Sequence, residues 1–492
     1  MSLTKATYSM IEGAPANVLD FGAVGNGVAN DSAAIQAALN AMGALTTGGE
    51  VYVPTGTYAC ASTLTIPAKV TLRMGGARIV SSAVNAVEIV LGNGAVSGRI
   101  IGAGQNSVIE HTGTGHAIRM NGAAESAANA LIADIRILGS ATGQGGVFAT
   151  AFNGLYTRNM MVIGYTAGNA IWHYGVNAVT HWSPVLIGCL NGVINSSINV
   201  GATVYQANAI RVYGGSIVSM TQWGWVEQIA SGGTVPNLSN VCDGVVFENN
   251  GVNGSAVTGH MFLENTVKMS VVNCYFEDTP GQVPVSAILI GSATNSGQAI
   301  TISGNMFATS GTNVINNVNG QTVIITGNYA GGAVTNFVNQ GTLTRGAVIR
   351  SNRAPAATNV WAGTDGGLET NIDVGTLTNA NGTSSFGYSF NSISGLGQDL
   401  EVRTRSGGAN VMVFVNAAGT SVGAISDSGF VAGTGFSVGG NQVVGARNTG
   451  WSAMSGTATK GGFNTATVTT AQLAQVVKAL TDALTTSGAI GA

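Results

Sequence analysis

Apolar positions along this chain fall into two regimes. Within 32–42, Ile35, Ala38, Leu39 and Met42 recur at helical spacing behind Asp31, a residue suited to N-capping, and predict a short helix with one buried face. Ahead of it, Val18-Leu19-Asp20-Phe21-Gly22 reads as a short strand entering a Gly25-Asn26-Gly27 turn, and Gly48-Gly49 closes the link. From about residue 50 to 340 the apolar runs shorten to three to six residues separated by Gly, Asn or Ser. Examples are Val51-Tyr52-Val53, Leu64-Thr65-Ile66, Ile135-Arg136-Ile137-Leu138 and Thr322-Val323-Ile324-Ile325. No helical stretch separates them, so an alternating α/β architecture is excluded.

The short runs repeat. Val246-Phe247-Glu248 aligns with Tyr275-Phe276-Glu277 at a spacing of 29, and Ile217-Val218-Ser219 lies 29 residues further upstream. Asn273, Asn305 and Asn328 follow at spacings of 32 and 23. A variable period of this size predicts a solenoid, in which each turn is too small to bury its own apolar side and stacks on the next. Short strands with tight corners select an all-β coil with turns roughly 4.8 Å apart, about 12 turns and ~60 Å long. The helix at 32–42 then covers the exposed first turn.

Composition narrows the class further. Only 8% of residues are charged and the net charge is −3, as expected where stacked equivalent positions would set like charges side by side. Eighteen Lys and Arg spread over 492 residues give no basic surface for nucleic acid. Glycine, at 73 residues, has no G-X-Y period, which excludes collagen. No apolar run is long enough for a membrane-spanning helix, and the first residues lack the apolar core of a signal peptide. Cys60, Cys189, Cys242 and Cys274 sit in apolar runs without metal spacing and read as buried thiols.

Residues 341–450 stay β-prone and glycine-rich without the Asn spacing, and read as hairpins or a small β module. In 451–492, Val468 and a Thr469-x-x-Gln472 capping box precede Leu473, Val476, Val477, Leu480 and Leu484, an apolar stripe suited to other copies of the chain or to packing back on its own.

Three runs carry a resemblance: Val18 to Gly27, Asn30 to Leu39, and Gly49-Glu50-Val51-Tyr52-Val53-Pro54-Thr55-Gly56-Thr57-Tyr58. Together they resemble the opening module of pectate-lyase-like right-handed parallel β-helix proteins, above all bacteriophage tailspikes. The family usually has Gly-Asp-Gly and Asp-Asp where this chain has Asn26 and Asn30, a change that removes charge and keeps turn and cap capacity. Val444 to Trp451, the Gly456 to Lys460 stretch and the Gly488-Ala489-Ile490-Gly491 end resemble phage tail proteins. The resemblance implies a virion tail protein and a homotrimer that binds bacterial capsule or lipopolysaccharide, with no cofactor. It divides the chain into a virion-attachment peptide at 1–17 that meets tail or baseplate proteins, a cap at 18–48, the β-helix at 49–340, a trimerisation module at 341–450 and a terminal segment at 451–492.

Endo-acting glycoside hydrolysis needs two carboxyl groups, one as acid and one as base or nucleophile. The acids concentrate at Glu227, Asp243, Glu248, Glu264, Glu277 and Asp278. If Phe247 and Phe276 point inward, Glu248 and Glu277 point outward about 5 Å apart, a separation suited to a retaining pair. Glu264 with Asp243 or Asp278 would make a wider pair. Just upstream lie aromatics that suit sugar faces: Trp172, Trp182, Tyr213, Trp223 and Trp225, with Glu227 beside them. Trp223-Gly224-Trp225 is expected to place both rings on one strand face. The competing readings are a subunit-interface ladder for the glutamates, core packing for the aromatics, and a non-catalytic receptor-binding or structural fibre. Lyase chemistry is weaker, with only Arg211 and Lys268 near the acids. His173 and His181, eight apart without Cys or Asp at ligand spacing, do not read as a metal site.

Overall fold

Each turn of the chain visits three sheets in the same order. The computed structural model describes residues 13–363 apart from 93–95, 123–126, 201–202, 230–234, 252–257, 280–283, 342 and 345, then separate strands between 371 and 445, and 467–486. Sheet I collects His116–Asn121, Gly145–Thr150, Asn169–Tyr174, Asn191–Val200, Trp223–Ile229, Gly259–Leu263 and Ser286–Ile290, among others. Sheet II collects Ala127–Ala133, Asn153–Arg158, Asn177–Trp182, Asn208–Tyr213, Val241–Asp243 and Ser270–Val272, and sheet III Met161–Ile163, Val185–Ile187, Ser216–Val218, Val246–Glu248 and Tyr275–Glu277. Equivalent strands of successive turns pair in parallel. The fold is an all-β, right-handed parallel β-helix with a helix near each end. Among the described residues sheet III holds 12 strands, which matches the number of turns expected from the repeat length.

The corner between sheets II and III is two residues long and turns through one left-handed residue. Asp134, Asn159, Ser183, Gly214, Gly244, Asn273 and Gly304 fill that place with φ between 47° and 67°. Small polar residues and glycine tolerate this conformation, which explains their spacing in the sequence. Inside, Phe247, Phe276 and Phe307 stack at 5.0 and 4.7 Å with planes 8° apart. Beside them Asn305, Asn328 and Asn352 form a buried amide ladder with 2.9 Å bonds. The ladder is one residue out of the expected alignment. Asn273 is the left-handed corner residue, and Cys274 donates its backbone N–H to Asn305 Oδ1. Likewise Ile217 aligns with Phe247 at a spacing of 30, because sheet register rather than the best sequence match sets the pairing.

Helix α1, Ser32–Gly43, buries Ile35, Ala38 and Leu39 over the first turn as expected. Two local expectations change. Val18–Phe21 is a 3-10 turn rather than a strand, capped by Asn17. Asp31 makes no side-chain cap bond; its carboxylate accepts from the backbone N–H groups of Val24 and Gly25 at 2.6 and 3.2 Å, tying the opening turn to the helix start. The coil also runs past residue 340: Val348–Arg350 and Asn371–Asp373 extend sheet II, and Asn359–Gly363 extends sheet I. All four cysteines are buried thiols.

The chain divides into two compact units, Met1–Phe386 and Gly387–Ala492. In the second, Met412–Val415, Ser421–Ser426 and Gly429–Ala432 form an antiparallel sheet, and Gly435–Val438 pairs with Asn441–Gly445 as a hairpin. Helix α2, Thr470–Thr486, opens on the expected capping box: Gln472 N–H donates to Thr469 Oγ1 and Thr469 N–H to Gln472 Oε1. Leu473, Val477 and Leu480 are exposed along it at alternating steps of four and three. Residues 1–12, 446–466 and 487–492, which hold most of the attachment peptide and of the terminal motifs, lie outside the described residues.

Candidate glycan-binding faces

The structure distributes the expected site residues over three outer faces and the interior. On sheet III, Phe247 pairs with Phe276 in the core, and their neighbours Glu248 and Glu277 stand in register on adjacent strands, facing outward. Tyr275 lies beside them, and its phenol is shifted upward by desolvation and then by the charges of Glu277 and Glu248. This is the pairing the repeat predicted. None of the expected tryptophans shares that face.

Three expected residues are interior. Trp225 and Glu227 are fully buried, and Asp278 is 7% exposed. Trp223 and Trp225 therefore do not share a face: Trp225 belongs to the main core, whereas Trp223 packs in a separate outer cluster with Ile194 and Val226. A tryptophan fits inside because its indole N–H donates to Glu227 at 2.8 Å, satisfying the ring's polar atom. Neither Trp225 nor Glu227 can reach a surface ligand. Asp278 faces inward onto His260, 3.1 Å away, and accepts from Thr309 Oγ1 at 2.5 Å. Asn250 Nδ2 donates to His260 Nδ1, so the imidazole turns its Nε2–H to the carboxylate. Glu264 sits at the corner leaving sheet I, bonded by Asn295 Nδ2 at 3.0 Å, while Asp243 ends its strand at the far side of sheet II. Val272, the register partner of Asp243, comes eight residues after Glu264, at the other end of the sheet II run. The wider pairs with Asp243 or Asp278 are thus not assembled.

The interior polar groups form one directional chain. Thr157 Oγ1 lies 2.7 Å from His181 Nδ1, His181 Nε2 lies 3.0 Å from His173 Nε2, and His173 Nδ1 lies 2.7 Å from Asn195 Oδ1. Asn195 Nδ2 donates to Glu227 Oε1 at 2.8 Å, and Asn237 and Asn240 donate to the same carboxyl at 2.8 and 3.0 Å. The amide of Asn195 must turn its NH2 to the carboxyl, so its oxygen accepts a hydrogen bond from His173 Nδ1–H. His173 Nε2 then accepts from His181 Nε2–H, and Thr157 donates to His181 Nδ1. Both imidazoles are neutral. Burial holds His173 down to about 4 and His181 well below its usual value. Burial also pushes the Glu227 carboxyl up to about 7, against the pull of its four donors.

The outer face of sheet I carries an apolar strip whose middle, at Ile194, Trp223 and Val226, is buried. Val147, Ile171, Val193, Trp225, Met261 and Ile288 point into the core, so the residue after each points out. Those residues are Phe148, Trp172, Ile194, Val226, Phe262 and Leu289, in register on six consecutive strands, a strip about 24 Å long. Phe148 meets Trp172 edge-on at 5.4 Å, Tyr174 lies 5.5 Å from Trp172, and Trp223 stacks on Phe262 at 5.2 Å. Ser196 Oγ accepts from Trp172 Nε1 and Gln228 Nε2 along one side. At the head, His116 stacks on Phe148 with Nε2 unpartnered among the described residues, and Arg119 pairs with Glu88. The strand Asn191–Val200 overruns its neighbours and folds back on Thr203–Tyr205. It fits beside Tyr174 because Gly175, at φ 67°, has no Cβ; one there would stand 2.5 Å from Tyr205.

Trp172 and Trp223 pack in one cluster on the outer side of sheet I, with Trp223 8% exposed, whereas Trp182 and Tyr213 lie on sheet II. The sequence placed Tyr174 in the aromatic cluster of 172–225 but did not single out Phe148 or Phe262. The signal for them is the residue following each core position, and it emerges only once the irregular register is known. Among the described residues, no three His, Cys, Asp or Glu side chains gather as a metal-binding group.

The family described as Rhamnogalacturonase A/epimerase, pectate lyase-like, matches residues 16–226. No curated protein sequence matches the chain. Similar solved structures include ORF18 of Geobacillus virus E2, at 17% identity over 71% of this chain and 61% of that one, TM-score 0.47. The A-module of mannuronan C-5 epimerase AlgE4 from Azotobacter vinelandii is similar at 14% identity over 73% of this chain and all of that one, TM-score 0.47. A family 28 exopolygalacturonase of Yersinia enterocolitica is similar at 11% identity over 71% and 77% of the two chains, TM-score 0.46. This chain spans less than two thirds of the viral protein's length.

Proposed function

We propose that this chain is a phage tailspike or tail fibre, a homotrimer that binds bacterial capsule or lipopolysaccharide along the outer strip of sheet I. The strip carries the reading. Aromatic rings kept out of the main core, Phe148, Trp172 and Tyr174 toward one end and Phe262 toward the other, edged by Gln228 and the Glu88–Arg119 pair, offer stacking faces and hydrogen-bond partners to an extended glycan. The match to a family of polysaccharide-acting enzymes supports the ligand class. The opening runs from Val18 to Tyr58 support the tail setting, and the exposed steps of α2 support association of copies. In this reading residues 1–17 attach to tail or baseplate proteins, and 341–450 help hold the trimer.

A second reading rests on Glu248 and Glu277. Glu248 and Glu277 are in register on neighbouring strands, about 4.8 Å apart at the backbone, which would suit a retaining pair, one to protonate the leaving oxygen and the other to attack. The test exposes host capsule and lipopolysaccharide to the wild type, Trp172→Ala and Glu248→Gln, and measures binding and new reducing ends. Binding weakened in Trp172→Ala toward at least one host glycan supports the glycan strip, and undiminished binding to every host glycan refutes it. Release abolished in Glu248→Gln supports hydrolysis; binding without release by the wild type leaves an adhesin.

A further inference from the structure

Trp182, Tyr213 and Asp243 are not part of the sheet I strip, yet the register assembles them. Arg158, Trp182, Tyr213 and Asp243 occupy one outward column on four consecutive strands of sheet II. Two residues back on the same strands run Tyr156, Thr180, Arg211 and Val241. The Trp182 and Tyr213 rings stack at 4.6 Å and 24°. Trp182 is 51% exposed and Tyr156 44%, on a chain whose other large aromatics are mostly covered.

Beyond Tyr213 the surface drops. The next residues in its column are Asp243, Val272 and Ser303, and the parallel column continues with Val241, Ser270 and Thr301. The far face of the Tyr213 ring thus stands over a floor of short side chains. The polar groups at this step are complementary. Asp243 takes one bond, from Asn273 Nδ2 at 3.1 Å, and keeps acceptor capacity. Arg211 gives one N–H to the Ala209 carbonyl and makes no ion pair among the described residues. Arg158 is committed to Asp134 at 2.6 Å.

An aromatic face, a carboxylate acceptor and a guanidinium donor at one step suit the apolar face and adjacent hydroxyls of a sugar ring. The Asp243 and Arg211 charges offset one another at this step, which suits a sugar without net charge. We infer that the outer face of sheet II carries a second saccharide site, for a neutral pyranose, separate from the sheet I strip. The inference rests on the reading of this chain as a polysaccharide-binding protein, and it adds a second point of attachment for the same or a neighbouring glycan chain. Two linked contacts raise the apparent affinity without new chemistry at either.

The test is an array of neutral and acidic bacterial capsule and O-antigen fragments, probed with full-length wild type, Trp182→Ala/Tyr213→Ala, Arg211→Gln/Asp243→Asn and Trp172→Ala. Because Trp182 is exposed, and the second double variant leaves both rings in place, a loss shared by both cannot be put down to misfolding. The expected result is at least a tenfold loss of binding to neutral-sugar fragments in both double variants, with those fragments still held by Trp172→Ala. If both double variants bind every fragment as the wild type does while Trp172→Ala does not, the second site is refuted and the sheet I strip stands. If the wild type binds no fragment, both sites fall together.

Discussion

Replacing Glu227 by Gln probes the interior hydrogen-bond chain directly. The carboxyl titrates at about 7 in the fold and near 4.5 when exposed. Because the folded value lies above the unfolded one, the folded chain holds an extra proton between those pH values. Its stabilising contribution is complete below about 4.5 and disappears as pH rises through 7. At about 1.4 kcal/mol per tenfold step, the loss is roughly 3 kcal/mol. The substituted amide would not titrate. It would also turn an NH2 toward Asn237 or Asn240, both donors, and so carry a pH-independent penalty of about 1–3 kcal/mol. Only the pH dependence is diagnostic. His173, held below its unfolded value, loses stability as pH falls from about 6.5 toward 4, and it does so in both proteins. The difference between them therefore isolates Glu227. Guanidinium unfolding at pH 5, 6, 7 and 8, followed by tryptophan fluorescence, should show the advantage of wild type over Glu227→Gln shrinking by roughly 3 kcal/mol across the series. A difference that stays constant with pH would refute the assignment of a raised carboxyl at this position.

Other substitutions address packing, chemistry and assembly. Phe276→Ala removes the middle ring of a three-ring stack and should cost about 3–5 kcal/mol in the same unfolding assay; a cost under ~1 kcal/mol would mean the stack is not a tight core element. Glu277→Gln should abolish any reducing-end release that Glu248→Gln abolishes, and a variant with full release would remove Glu277 from the pair. Leu480→Asp, on the exposed stripe of α2, should shift a trimer toward monomer in sedimentation velocity, and an unchanged trimer would leave that stripe without a role in assembly.

The solenoid was legible because its causes are local. Tight corners need Gly, Asn or Ser, and three-residue strands need one inward apolar side chain, so both recur where the sequence shows them. The pairing of Glu248 with Glu277 followed from one well-matched repeat. Other alignments slipped by one residue, as at Asn273 and Ile217, because corners of different length shift the register without leaving a local mark. A slip of one exchanges inside for outside, and Trp223 and Trp225, two apart on one strand, part between an outer cluster and the main core, which alternation alone does not foretell. The low tolerance expected for a buried carboxylate argued against placing Glu227 inside. Its donors, Asn195, Asn237 and Asn240, lie 32, 10 and 13 residues away and meet it only after coiling. The grouping of aromatics with acids in the sequence did not survive folding, since consecutive segments wrap onto different faces.

The same interior chain limits how this coil can be lengthened or shortened. Where the interior repeats the same groups from turn to turn, aliphatic and phenyl side chains beside the Asn305–Asn328–Asn352 ladder, excising one whole repeat would bring similar surfaces together and reseal. Between 153 and 240 the buried donors and acceptors, from Thr157 through the two histidines to Asn195, Glu227 and Asn240, are matched to one another. Cutting out a repeat there would strand a charged or polar group in a dry interior, so this stretch acts as a fixed key in an otherwise modular rod.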